Sequence, residues 1–161
     1  MDPLSRLCLS CGLCCDGNLF TQVPLRADEV VALRRRGLPL LARGDRPLAL
    51  EQRCAALAGS SCTIYDERPE GCRRDRCMVH AALAADEVGL GEALVVVVQT
   101  HALLGALVDA LPPGPGAPLQ RARAGARAGT LTASASAALG AAARQIGRHF
   151  DREAGRVPTT G

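Results

Sequence analysis

Apolar positions come in short, interrupted runs over the first half of the chain and in longer helical runs over the second. NLFTQVPL, residues 18–25, has strand-like character. ADEVVALRRRG, 27–37, predicts a helix, because acids open it, arginines close it and Gly37 stops it. Residues 38–53 carry Pro39, Gly44 and Pro47 and predict an irregular connection. From 54 to 77 the turn signals GSS and RPEG predict little regular structure without a cross-link. Residues 79–88 and 92–111 then predict helices, although the VVVV run also suits a short buried strand. PPGPGAP, 112–118, breaks what precedes it. QRARAGARAGT, 120–130, reads as a solvated linker, and 132–150 is an alanine-rich helix with Ser or Thr available as a cap. There is no internal repeat of useful length.

Composition sharpens this picture. Aromatic residues make up 2% of the 161, so the core has to be built from small aliphatics without the area that rings supply. All 19 basic residues are arginine and the net charge is +3, too weak to argue for nucleic acid. Almost no aromatic is available for base stacking. The most membrane-like stretch, 93–111, is interrupted by Gln99, His101 and Asp109, and reads as a buried element of a soluble protein rather than a span. Residues 1–7 have neither the basic start nor the apolar run of a secretory signal. The expectation is a cytoplasmic protein with no membrane partner, in a compartment that keeps thiols reduced.

The chemistry lies in the eight cysteines: Cys8, Cys11, Cys14, Cys15, Cys54, Cys62, Cys72 and Cys77. A disulfide framework needs an oxidising compartment, and the neighbours Cys14 and Cys15 pair poorly with each other. Thiol redox catalysis through a C-x-x-C pair expects a helix start beside a βαβ pattern, which is not visible. Metal binding is the favoured reading. Cys8-x2-Cys11 and Cys11-x2-Cys14 place thiolates on a tight turn, where two sulfurs can reach one ion about 2.3 Å away. Cys54, Cys62, Cys72 and Cys77 complete the sites once the chain folds back. Adjacent Cys14 and Cys15 leave the backbone in different directions, which favours two neighbouring four-thiolate sites, or a shared centre, over one isolated finger. Arg73, Arg74 and Arg76 stand ready to offset the negative charge of such sites. Soft thiolates suit zinc, copper(I) and iron–sulfur clusters alike, and C-x2-C-x2-C also matches the three-cysteine run of bacterial ferredoxins.

The order CLSCGLCC, then Cys54, then CTIYDERPEGCRRDRC resembles the YkgJ-type cysteine-cluster family, described as zinc- or iron-chelating with a CxxCxxCC signature. The matching features are Cys62, Ile64-Tyr65, Arg68-Pro69, Cys72-Arg73 and Cys77, over residues 8–77. One departure is Asp75, where relatives often carry an aromatic before the last cysteine; it is expected to loosen packing beside Cys77. The resemblance implies metal chelation and no settled activity. A similar cluster occurs in bacterial flagellin lysine N-methylases with an iron–sulfur centre and S-adenosylmethionine. A glycine-rich nucleotide loop after a strand and the C-x3-C-x2-C spacing are both missing from this chain, so methyl transfer would be analogy alone.

Other candidates read as ordinary residues. His80 is a helix-start histidine rather than a substitute ligand, and His101 is a satisfied core residue. His149 lies near a frayed end. Tyr65 packs over the metal site, and Asp16 is a turn residue in DGN. None is assigned a catalytic role. The expected fold is mostly α, with a small irregular metal-stapled lobe carrying short strands, followed by packed helices. The expected division is 1–111 for the cysteine-cluster domain, 112–130 for a flexible linker and 131–161 for a C-terminal helix and tail. The expected function is chelation of zinc or iron through the eight cysteines in a structural or metal-handling role. The alternative is an iron–sulfur protein in electron transfer or a methylation-like modification.

Overall fold

The computed structural model describes residues 1–151; the last part of the expected tail, 152–161, lies outside the described residues. The fold is mostly helical with short strands, as the sequence predicts. The first helix, α1 (Pro3–Cys11), occupies sequence expected to be only a cysteine-bearing turn. Asp2 caps it, its Oδ1 accepting from the N–H groups of Leu4 and Ser5 at 3.0 Å each. Pro3 fills the first helical position, where the missing N–H is no loss. Gly12, at φ +68°, ends it in the left-handed conformation.

Strand β1 (Gln22–Pro24) precedes α2 (Ala27–Arg35). The stretch 38–53, expected to be irregular, forms a hairpin of β2 (Leu40–Arg43) and β3 (Arg46–Glu51). β3 is central, with β1 and β2 both antiparallel to it, and Val23 opposite Leu50 in register. A two-stranded ribbon of β4 (Leu57–Ala58) and β5 (Ser61–Cys62) follows. After a 3-10 turn at Tyr65–Glu67 come α3 (Glu70–Arg74) and α4 (Met78–Ala84). Glu29 joins α2 to α3. One of its carboxylate oxygens accepts from the Arg26 N–H at 2.8 Å and the other from the Glu70 N–H at 2.6 Å.

The second half is helical: α5 (Leu90–Ala110), α6 (Pro118–Ala128) and α7 (Ala133–His149). The expected linker therefore contains a helix. Leu119 and Ala122, three residues apart on one face, are fully buried, and Arg121 between them turns away to donate to the Pro112 carbonyl. α6 packs on α5 and α7. α7 matches its prediction, with the Thr132 hydroxyl accepting from the Ala135 N–H. Its end is anchored rather than frayed, because Phe150 is buried.

α5 is long and apolar enough, by length and composition alone, to cross a membrane. Ala93, Val97, Thr100, Leu104 and Leu107 are buried, whereas Val95, Val98 and Val108 are exposed. The sequence predicts a buried element, and the helix is buried along one face. Buried side chains form two clusters. Leu7, Leu13, Leu104, Leu107, Leu119, Ile146 and Phe150 belong to one, which joins α1 to the C-terminal helices. Val23, Leu25, Leu33, Leu50, Cys54 and Ile64 belong to the other, around the three-stranded sheet.

A buried side chain ties the cysteine loop to α6. Asn18 is 4% exposed. Its Oδ1 accepts from the Leu119 N–H at 3.1 Å, its Nδ2 donates to Asp16 at 2.9 Å, and its carbonyl accepts from Gln120 Nε2 at 2.7 Å. Removing the side chain strands an N–H in the first turn of α6, a loss of about 1–2 kcal/mol. Asn18→Ala is expected to lower the unfolding midpoint by roughly 2–6 °C in a thermal melt. An unchanged midpoint would show that the cap contributes nothing.

Candidate metal centre

Seven of the eight cysteines line one cavity of about 70 Å³; its walls include Cys8, Cys11, Cys14, Cys15, Cys62, Cys72 and Cys77. That is several times the ~10–15 Å³ that one water-sized body needs. Cys54 is buried and bears on Cys15 and Cys72 of this wall. The chain delivers the thiols from four directions. Cys8 and Cys11 lie one turn apart on α1, so they share a face. Cys14 and Cys15 follow in the turn closed by the Cys15 and Asp16 N–H groups donating to the Gly12 carbonyl. Cys54 and Cys62 flank the β4–β5 ribbon. Cys72 sits on α3, and Cys77 starts α4.

Backbone contacts fix these pieces against one another. The Cys54 N–H donates to the Cys15 carbonyl at 2.8 Å. Ser61 Oγ donates to the Leu9 carbonyl at 2.9 Å. Gly71 on α3 lies so close to β1 that a Cβ there would meet Val23 Cγ1 at 2.7 Å. His101 Nε2 donates to the Cys11 carbonyl at 2.7 Å. His101 is therefore satisfied but exposed, a brace on the α1 terminus rather than a core residue. Asp16 makes the expected turn, its carboxylate accepting from the Asn18 N–H at 2.8 Å.

The electrostatic neighbours of six of the thiols group the eight into two sets of four. Cys77 and Cys8 bear on Cys11, Cys8 bears on Cys77, and Cys11 and Cys77 bear on Cys14. Cys62, Cys54 and Cys72 bear on Cys15; Cys54 and Cys62 bear on Cys72; Cys62 bears on Cys54. The sets adjoin where Cys15 bears on Cys14. Burial, reinforced by these neighbours, pushes Cys11, Cys15 and Cys72 up to about 12 and raises Cys14, Cys54 and Cys77. These thiols are neutral at ordinary pH, and all eight cysteines are free of disulfides.

Among the described residues, no three His, Cys, Asp or Glu side chains stand close enough together to hold an ion as they are placed. The donor chemistry nevertheless fits a soft metal: two sets of four sulfurs around a shared space, the ligand number of closed tetrahedral sites.

The compensating cation is not where the sequence suggests. Arg73, Arg74 and Arg76 are exposed, and Arg74 pairs with Glu70 at 3.5 Å. Arg68 takes the role. It lines the cavity, lies 3.4 Å over the Tyr65 ring and donates from Nε to the Tyr65 carbonyl at 2.8 Å. Its charge works against the upward shift of both Cys15 and Cys72. Tyr65 lines the cavity as expected. Asp75 also reaches the wall, as do Phe20 and Phe150, two of the few aromatics. His80 reaches it too, although the sequence reading set that residue aside. The i, i+3 spacing of Cys77 and His80 was the available signal.

A family model described as "Putative zinc- or iron-chelating domain", CxxCxxCC, matches residues 7–89. Comparison with curated proteins and with solved structures found no match.

Proposed function

The chain belongs to the CxxCxxCC family, and from that premise we propose that it binds zinc or iron through its eight cysteines, in a structural or metal-handling role. The division of the thiols into Cys8, Cys11, Cys14 and Cys77 on one side and Cys15, Cys54, Cys62 and Cys72 on the other carries this reading. Four sulfurs per set is the ligand number of a closed tetrahedral site, which has no open position for a substrate. Bound metal would supply cross-links between α1, the β4–β5 ribbon, α3 and α4. Each thiol must give up its proton to become a ligand. Arg68 would then stabilise the resulting negative charge beside Cys15 and Cys72. The free state of all eight cysteines supports ligands over disulfides, and a reducing, cytoplasmic location agrees with it.

The experiment is analysis of metal and acid-labile sulfide, with a visible spectrum, on protein purified without oxygen. A colourless protein holding about two zinc ions per chain is the expected result. A brown protein with iron and sulfide would transfer the same ligands to an iron–sulfur centre in electron transfer or a modification reaction. A protein with neither metal nor sulfide would end the chelation reading.

A further inference from the structure

His80 stands on the first turn of α4, three residues beyond Cys77, and shares the cavity wall with Cys8, Cys11, Cys14 and Cys77. Its Nδ1 is buried and has no hydrogen-bond partner among the described residues. Leaving a buried ring nitrogen unpaired is unfavourable, and an orphan of this kind in a folded protein asks for a bound ion or a chemical role. The other histidines are spent or placed elsewhere. His101 donates to the Cys11 carbonyl, and His149, at the end of α7, is not on this wall. The other buried orphan atom, Gln52 Oε1, is also absent from the wall. An unpaired imidazole nitrogen on a residue that shares a cavity wall with four thiols is a donor in search of an acceptor of electron pairs. Imidazole suits the same metals that thiolates bind, and three cysteines with one histidine form a common zinc set.

We propose that His80 is a metal ligand through Nδ1, making a mixed sulfur–nitrogen centre with thiolates drawn from Cys8, Cys11, Cys14 and Cys77. The inference rests on the chelation reading above. The second set, Cys15, Cys54, Cys62 and Cys72, stays all sulfur, so the two centres differ in kind. A neutral imidazole in place of one thiolate leaves the first centre one negative charge poorer. Arg68 bears on Cys15 and Cys72 in the second set and on His80 in the first, so it stands between the two centres. The first centre also holds a ligand to spare, because five donors face a metal that takes four. Exchange between the imidazole and the fourth thiolate gives it a route for passing metal on that a closed four-sulfur site lacks.

The test is cadmium-113 NMR on the full chain, uniformly labelled with nitrogen-15 and saturated with cadmium. Two cadmium resonances are expected, one in the all-sulfur region and one upfield of it. The upfield resonance should show one-bond coupling to Nδ1 of His80. In His80→Ala that coupling disappears and the upfield resonance moves or is lost, while the all-sulfur resonance stays. Two all-sulfur resonances without coupling to an imidazole nitrogen would overturn the proposal, as would coupling to His101 or His149. Because the coupling is read in the unmutated protein, the result does not depend on the variant folding. Failure to bind cadmium at all would instead remove the chelation reading, and this inference with it.

Discussion

Stripping the metal with a chelator under reducing conditions is expected to unfold residues 8–80, and Cys54→Ala to do the same without a chelator. The cluster around the sheet is made of Val23, Leu25, Leu33, Leu50, Ala56 and Ile64 with Cys54, and contains no aromatic ring. Its strands are two to six residues long, and a ribbon as short as β4–β5 is marginal by itself. Structural zinc contributes about 10–16 kcal/mol to the folding of small thiolate domains, more than this core can replace. The measure is limited proteolysis with mass mapping. Rapid cleavage throughout 8–80, with 90–150 cleaved more slowly, is the expected pattern. The slower region keeps the buried Leu104, Leu107, Leu119 and Ile146. Alanine at position 54 preserves an apolar side chain, so the loss would come from the missing ligand. Metal-free protein that resists protease as well as the loaded form would refute the idea that metal staples the lobe.

Gly12→Ala should be the most damaging substitution outside the cysteines. Gly12 sits at φ +68°, where a side chain costs about 1–2 kcal/mol. A Cβ there would also stand 2.7 Å from the Ser60 carbonyl oxygen and 3.0 Å from its Cα. Those are backbone atoms, so no rotamer change relieves the clash. The β4–β5 turn must retreat from the end of α1, at a further cost of about 1–3 kcal/mol. Summed, the loss is roughly 2–5 kcal/mol, readable as a shift in the denaturant midpoint. Because α1 carries Cys8 and Cys11 while β5 carries Cys62, metal affinity should fall with stability. A variant with unaltered midpoint and metal content would mean that the close approach of α1 and the ribbon is dispensable.

Where several local signals agree, the sequence is a sufficient guide. In α2 the opening acids, closing arginines and Gly37 all point to one helix, and in α7 the cap and the alanine-rich run do the same. Where signals compete, the stronger one masks the weaker. The prolines of 38–53 hide a hairpin that Gly44-Asp45, between two apolar runs, announces. Asp2-Pro3 is a cap followed by a first-position proline, but the thiols after it draw attention to turns instead of to α1. In α6 the alternation of Arg and Ala resembles a linker, and only the i, i+3 placement of Leu119 and Ala122 marks the buried face. The eight cysteines were plain, as was the divergence of Cys14 from Cys15. Their division into sets was not, because it depends on chain crossings. Cys77 closes back on α1, while Cys72, five residues earlier, turns toward the sheet. Arg68 is marked in the sequence only by the Arg68-Pro69 pair, and nothing in its spacing tells that it, rather than the three exposed arginines, lines the cavity with the thiols.

Leu7 and Phe150 both line the cysteine cavity, although 142 positions separate them. A growing chain emerges N-terminus first at about 5–20 residues per second. All eight thiols are therefore outside the ribosome for several seconds before the last wall of their cavity has been synthesised. During that interval they are open to oxidation and to any passing thiophilic ion. Their identity as a site is thus decided in two stages: the first 80 residues determine which sulfurs are offered, and the final helix determines when the offer closes.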